Sequence, residues 1–272
     1  MLDALSDRDF HGFRALLEDL SGIHVADTKK ALVVGRLASR VRHHGLAGYG
    51  DYLALVRSDP AERQVALDLL TTNETYFFRE PEHFALLART IAPRLRARGD
   101  VRVWCGASSS GEEPYCIAMV LANALGHLRF EVLASDISTR MLAAGRKGLY
   151  PIEEAARIPA PLRNAWCLKG VGAQAGSLQI DPVLRARVRF EQINLCETLP
   201  DIGSFDLVFL RNVMIYFTRE TKQQVVARVL ERLRPDGHFF VSHSESLQGL
   251  ADGLRMVRPS VYRKEAFAEE TA

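Results

Sequence analysis

Two hydrophobic periodicities divide this chain. Up to about residue 70, apolar side chains recur every three to four positions, the period of amphipathic helices. Ser6 with Asp9 reads as a capping box, and Phe10, Phe13, Leu17 and Leu20 then follow at helical spacing before Gly22. A second helix is predicted from Asp27 to Gly45, with Val33, Val34, Leu37 and Val41 on its apolar face. Beyond residue 100 the pattern changes to short continuous apolar runs separated by helical stretches. Strands are predicted in VRVW at 101–104, RFEVLASD ending at Asp136, RVRFEQIN at 187–194, FDLVFL at 205–210 and HFFVSH at 238–243. The intervening helices run through Met141 to Arg146 and from Thr218 to Leu233, the latter with Val225, Val226, Val229 and Leu230 as its core face. Such alternation predicts a parallel, doubly wound sheet. MVRPSVYRK at 256–264 is expected to be one last strand.

Between Tyr150 and Val188 the alternation fails, and Pro151, Pro159, Pro161, Gly170, Gly172 and Gly176 interrupt short apolar pieces. A structureless loop of that length is unusual in a compact domain, so a small inserted antiparallel β-subdomain is expected at about 150–188. The resulting division is an all-helical N-terminal domain at 1–70, a linker at 71–92 and an α/β domain at 93–272. The linker is no ordinary connector, because polar TTNET stands directly before Tyr76, Phe77 and Phe78, a combination suited to a ligand wall.

The first strand leads into Gly106, Ala107, Ser108, Ser109, Ser110 and Gly111, residues small enough for a ligand to approach the backbone closely. Pro114 suits the first turn of the helix that follows. Asp136 ends the next strand, where open α/β sheets place ligand-binding groups and a carboxylate can accept both ribose hydroxyls. Charge then chooses among adenosine ligands. The G-x-G-x-x-G turn of a dinucleotide site is missing, and Glu112 and Glu113 occupy the turn where a phosphate would sit. Two acids repel an anion but suit a donor bearing ammonium and sulfonium charges, as S-adenosyl-L-methionine does. The same acids would also complement a helix dipole on a solvated turn, and Glu112 is placed on the surface.

With 272 residues, 47% hydrophobic and 25% charged, the composition is that of a globular protein with room for one large core and an accessory unit. Apolar runs fall short of the ~18 residues that span a bilayer, and MLDALSDRDF is no signal peptide, so a cytoplasmic protein without membrane insertion is expected. A net charge of +2 does not argue for nucleic acid. Cys105, Cys116, Cys167 and Cys196 are scattered without a C-x-x-C pair, so reduced thiols are expected and no metal site. One basic feature is local. Lys29, Arg36, Arg40 and His43 fall on one stripe of the second helix, either a solvated face or a docking surface for an acidic partner.

Three blocks, TTNETYFFRE at 71–80, WCGASSSGEEPY at 104–115 and FDLVFLRNVMIYF at 205–217, together with the tail LRPDGHFFVSHSES, resemble the chemotaxis receptor methyltransferases of the CheR family over nearly the whole chain. The resemblance implies a Rossmann-like S-adenosylmethionine-dependent methyltransferase domain joined to a helical N-terminal domain and carrying a small β-subdomain. It implies methylation of particular glutamates on the cytoplasmic helical region of chemoreceptors, leaving S-adenosyl-L-homocysteine. The cofactor contacts it implies are Asn73, Thr75, Arg79, Glu113, Asp136, Asn194, Leu195, Arg211 and Asn212, with Arg79, Arg211 and Tyr216 at the reacting groups. Lys29, Arg36, Arg40 and His43 would then guide the acidic receptor helix. Ala107 and Ser108 depart from the family's usual residues but are equally compact. In some relatives the insert docks a receptor's C-terminal tether, which the sequence leaves open here. Arg79 also reads as the partner of Glu80 or Glu82, Tyr216 as a core aromatic and His243 as a hydrogen-bonded histidine. A methyltransferase for another acceptor, or a catalytically silent cofactor-binding scaffold, remains the alternative.

Overall fold

The computed structural model describes residues 3–265; residues 1–2 and 266–272 of the domains drawn above lie outside that range. The N-terminal part is a packed set of four α-helices, α1 (Asp7–Ser21), α2 (Lys30–His43), α3 (Tyr49–Ser58) and α4 (Pro60–Leu70). Ser6 caps α1, accepting from the Asp9 N–H at 3.1 Å and donating to its carboxylate at 2.7 Å, and Gly22 ends it with φ 68°. The second helix starts later than expected. Residues Asp27–Lys29 form a 3-10 turn, and no side chain caps either that turn or α2. Phe10, Phe13, Leu17, Val33, Leu37, Val41, Tyr52 and Val56 meet in one buried core, each contributing about 1.5–3 kcal/mol by leaving water.

One polar group is set into that core. Glu62, 4% exposed, receives Arg40 on both carboxylate oxygens, at 2.9 and 2.5 Å, and the Tyr52 hydroxyl at 2.6 Å. His44 lies 3.0 Å from the same carboxylate. Arg40 is therefore engaged in holding α2 against α3 and α4, and does not present its guanidinium to a partner.

The second part is built on a seven-stranded sheet. Its strands are β1 (Val101–Gly106), β2 (Phe130–Asp136), β6 (Val188–Gln192), β7 (Phe205–Leu210), β8 (Leu233–Phe240), β9 (Leu254–Arg258) and β10 (Val261–Lys264). The order is β6-β2-β1-β7-β8-β10-β9, parallel from β6 to β8. The expected single last strand is instead the hairpin β9–β10, turned at Ser260 with φ 57° and antiparallel to β8. A strand cannot reverse without such a turn, and nothing in alternation of apolar residues reveals it.

Helices α5 (Pro81–Leu86), α6 (Ala92–Leu95), α7 (Glu112–Leu125), α8 (Thr139–Lys147) and α11 (Arg219–Arg232) complete the domain. Strand β7 is buried along its whole length, with Leu207 and Phe209 in one core and Val208 and Leu210 in the other. The linker joins this body early, because Phe77, Phe84, Leu87 and Ile91 are buried in the first of those cores. The insert contains α9 (Ala160–Trp166), α10 (Pro182–Arg185) and a three-stranded antiparallel sheet, β3 (Leu149–Pro151), β4 (Cys167–Lys169) and β5 (Ser177–Ile180), in the order β3-β5-β4. The chain reverses its direction of strand addition between β1 and β7, so the crevice for a ligand opens at their carboxyl ends, where Gly106 and Leu210 are in register.

The Glu62 cluster makes stability depend on pH. Burial raises the Glu62 carboxyl, but hydrogen bonds from Arg40, Tyr52 and His44 outweigh it and lower the pKa from 4.5 to about 2. A depressed pKa stabilises the fold above the unfolded value and loses that stabilisation as pH falls through the folded one. Urea unfolding of the wild type should therefore weaken between pH 4.5 and about 2, and Glu62→Gln should lack that part of the slope. Identical slopes in the two proteins would contradict the assignment.

Candidate functional site

The loop after β1 turns tightly under the crevice. Ala107 and Ser109 take φ 54° and 48°, and Gly111 takes φ 98°, where an added Cβ would stand 2.9 Å from the Tyr150 hydroxyl. The Ser108 N–H donates to the Ser135 carbonyl at 2.8 Å, which ties the loop to the end of β2. Asp136, 7% exposed, accepts from the Ser109 N–H on Oδ2 and from the Ser138 N–H on Oδ1, both at 2.8 Å. Burial raises its pKa, while these amides act in the opposite direction.

Above the loop lies a cavity of about 420 Å³ whose wall comes from both domains. The sheet domain and linker supply Asn73, Thr75, Arg79, Glu113, Asp136, Asn194, Leu195, Arg211, Asn212 and Tyr216; the helical domain supplies Lys29 and Arg36. These expected residues thus share one space, although the chain separates them widely. Arg40 and His43 are outside the wall. The basic stripe divides, with Arg40 on Glu62, His43 exposed beside the His44 ring, and Arg36 donating to the carbonyls of Leu70 and Thr71 at 2.7 and 2.9 Å.

Arg211 is almost wholly buried, its side chain 1% exposed. Its guanidinium is bound by Glu113, lies 3.0 Å from Glu80, and donates to the Arg79 carbonyl at 2.7 Å. Burial alone would lower its pKa, but Glu113 and Glu80 outweigh that and raise it. Burial likewise pushes Glu80 up, and Arg211 outweighs it to leave that carboxyl below its ordinary value. Arg211 is thus committed to joining the linker, the end of β7 and the start of α7. The paired acids divide as well. Glu113 faces the cavity, whereas Glu112 is buried, takes the Ser110 hydroxyl at 2.7 Å and has its pKa raised by burial. Glu112 is not on the surface as the sequence suggested, because it is buried in the first turn of α7 near Tyr150 and Glu154 of the insert.

Several polar groups of the wall are oriented by internal bonds. The Asn194 amide donates to the Leu20 carbonyl at 2.7 Å and to Glu197 at 2.9 Å, and its oxygen accepts from the Cys196 N–H at 3.0 Å. Asn194 therefore fastens the end of α1 to the sheet domain. Asn73 donates to Thr71 at 3.1 Å, and its carbonyl accepts from the Ser109 hydroxyl at 3.1 Å. Asn212 takes φ 60°, with its N–H on Glu245 at 3.0 Å. Arg79 donates to the Glu74 carbonyl at 3.0 Å and lies over the Tyr76 ring. Tyr216 borders the cavity, with its carbonyl accepting from the His24 N–H at 2.9 Å. Ile23, Val25 and Ile193 also line the wall and were not singled out in the sequence. Two apolar residues just past Gly22 were the local sign available for the first pair.

A family model described as CheR methyltransferase, SAM binding domain, matches residues 73–262, and a second, CheR methyltransferase, all-alpha domain, matches residues 8–71. The chain belongs to the CheR methyltransferase family. Chemotaxis protein methyltransferase 2 of Pseudomonas aeruginosa is 41% identical over 257 residues, covering 93% of this chain and 92% of its own. The Escherichia coli chemotaxis protein methyltransferase is 40% identical over 266 residues, covering 95% and 91%. That of Salmonella typhimurium is 38% identical over 264 residues, with the same coverage of each chain. In this CheR chain the two family domains abut at 71–73, inside the segment that walls the cavity.

Arg211→Met would leave Glu80 and Glu113 facing a buried apolar chain. Losing one partner of a buried ion pair costs about 3–5 kcal/mol, and urea unfolding should show a loss of that order. A change below about 1 kcal/mol, the usual size for an exposed pair, would contradict this role.

Proposed function

We propose that this chain transfers a methyl group from S-adenosyl-L-methionine to particular glutamate side chains on the cytoplasmic helical region of chemoreceptors, as a cytoplasmic enzyme. The observation that carries the reading is the arrangement of charge around one cavity. The buried Asp136 and the half-buried Glu113 line it together with the half-buried Arg79 and the exposed Lys29. The residues fit the proposed donor. Asp136, at the end of β2, has acceptor capacity left for a ribose hydroxyl, and Glu113, shared with Arg211, offers a carboxylate to a cationic ligand. Asn73, Thr75, Asn194, Leu195 and Asn212 would hold the remainder, Asn194 mainly by shape because its amide is occupied.

Bound S-adenosyl-L-methionine supplies a methyl group on a sulfonium sulfur and leaves as S-adenosyl-L-homocysteine. A glutamate acceptor, with a pKa of about 4.3, is ionised at neutral pH and is itself the nucleophile, so the chain need supply no general base. Strong charges against either reactant would stabilise the separated ions more than the neutralising transition state. The chain's task is therefore alignment and exclusion of water, which can contribute roughly 7–11 kcal/mol. Arg79 and Tyr216 steer the acceptor carboxylate, while Arg211, almost wholly buried, positions Glu113 and the Arg79 backbone.

The edge strand β4 supports a further part of the reading. It borders the insert's sheet on one side only, carries exposed Leu168, and leads to exposed Val171, which suits an extended receptor tether adding a strand.

Labelled methyl transfer into membranes containing candidate receptors, followed by alkali, tests the main reaction. Label should leave as methanol; alkali-stable label would indicate a nitrogen acceptor, and no transfer would indicate a binding scaffold. Tyr216→Phe and Arg79→Ala should each lower turnover at least tenfold while affinity for S-adenosyl-L-homocysteine changes less. Lys29→Glu should raise the receptor KM several-fold at low salt, and an unchanged KM would remove Lys29 from the docking surface. Charge reversal of Arg36 or Arg40 would not separate docking from folding, since both make internal bonds.

A further inference from the structure

Behind the Arg211 cluster, three donors from separate segments converge. Glu80 stands before α5 with φ 58°, His83 lies in the first turn of α5, and His243 follows β8. The His83 Nδ1 is 3.5 Å from Glu80 Oε2, and the His243 Nε2 is 3.8 Å from the same oxygen. All three ligand atoms lie within 4.8 Å of one another.

Hydrogen bonding shows what this convergence lacks. His83 is 2% exposed, and its Nε2 is 2.7 Å from the Ser260 hydroxyl. With that hydroxyl donating its single hydrogen to the Pro259 carbonyl at 2.7 Å, Nε2 is the ring donor and Nδ1 is left as a lone pair. Nδ1 is buried without a hydrogen-bond partner, and the buried Glu80 Oε2 has the Arg211 guanidinium 3.0 Å away. Two acceptors thus face each other across 3.5 Å with nothing donated between them. Arg211 meets the charge on Glu80, but the His83 nitrogen stays costly to bury unless a donor or a cation meets it too. His243 adds a third lone pair that a shared proton would not need, and its N–H on Glu80 Oε1 at 3.3 Å anchors its segment there.

We propose that Glu80, His83 and His243 form a binding site for a divalent cation of the zinc class. Two imidazole nitrogens and one carboxylate oxygen are a donor set that zinc accepts, with water completing a tetrahedron. Zinc–nitrogen bonds of about 2.0–2.1 Å require the donors to draw together. The exposed His243 side chain is the one free to move. Charge permits the ion, because Glu80 and Glu113 carry two negative charges around the single Arg211 cation. The site uses no cysteine, which is why cysteine spacing in the sequence did not reveal it. Occupancy would also reach the cavity. An ion on Glu80 Oε2 competes with Arg211 for that oxygen and leaves Arg211 more fully to Glu113, so metal and cavity ligand become coupled.

Titration of the purified full chain with zinc chloride by calorimetry tests the site. One equivalent should bind, His243→Ala should weaken it at least tenfold, and His11→Ala, an exposed histidine elsewhere, should leave it unchanged. Cobalt(II) in the wild type should give the intense visible absorption of a tetrahedral site, lost in His243→Ala. Absence of saturable binding would show that a proton fills the gap. Equal binding in His243→Ala would show an adventitious ion only. Either result overturns the proposal.

Discussion

A guanidinium removed almost entirely from water is the constraint around which this molecule is arranged. Arg211 cannot remain buried without compensation, and Glu113 and Glu80 provide it at its two terminal nitrogens. Its third bond, to the Arg79 carbonyl, brings in the backbone of the linker. One side chain thereby sets the relative positions of three elements: the end of β7, the first turn of α7 and the segment entering α5. The cavity sits where those elements meet, so its geometry follows from an electrostatic requirement of the fold.

The helical domain is fastened to this centre by directed polar bonds as well as apolar contact. Asp68 on α4 accepts from the Thr139 N–H at 3.0 Å and its hydroxyl at 2.8 Å, acting on the N-terminal turn of α8. Asn194 reaches the Leu20 carbonyl, and the His24 N–H reaches the Tyr216 carbonyl. Arg36 spans from α2 to the linker. These bonds close the side of the crevice that the sheet alone would leave open to water. Exclusion of water is what a reaction between an anion and a sulfonium needs most, and it accounts for building a wall from a second domain.

Much of the fold was legible in the sequence because its signals are local. The capping pair Ser6 and Asp9, the fully apolar run of β7 and the small residues after β1 each act within a few positions, and each has the structure its pattern predicts. The last strand was misjudged because Pro259, the one sign of reversal, stands inside an otherwise strand-like run, and the left-handed turn itself falls on Ser260, an ordinary residue. Glu112 was misjudged because a helix's first turn is usually solvated, whereas here it is buried with Tyr150 and Glu154 of the insert close by.

The sequence by itself determined the order of elements, the small-residue loop, the acid ending β2 and the family blocks, since all of these reside in contiguous residues. Only the tertiary structure decided which charges remain available. Arg40 and Arg36 belong to one stripe along a helix, yet each is bound internally by groups twenty or more positions away. Glu80, His83 and His243 become neighbours for the same reason. Pairing of charges depends on distance in space, and the long-range contacts that set it leave no periodic trace along the chain.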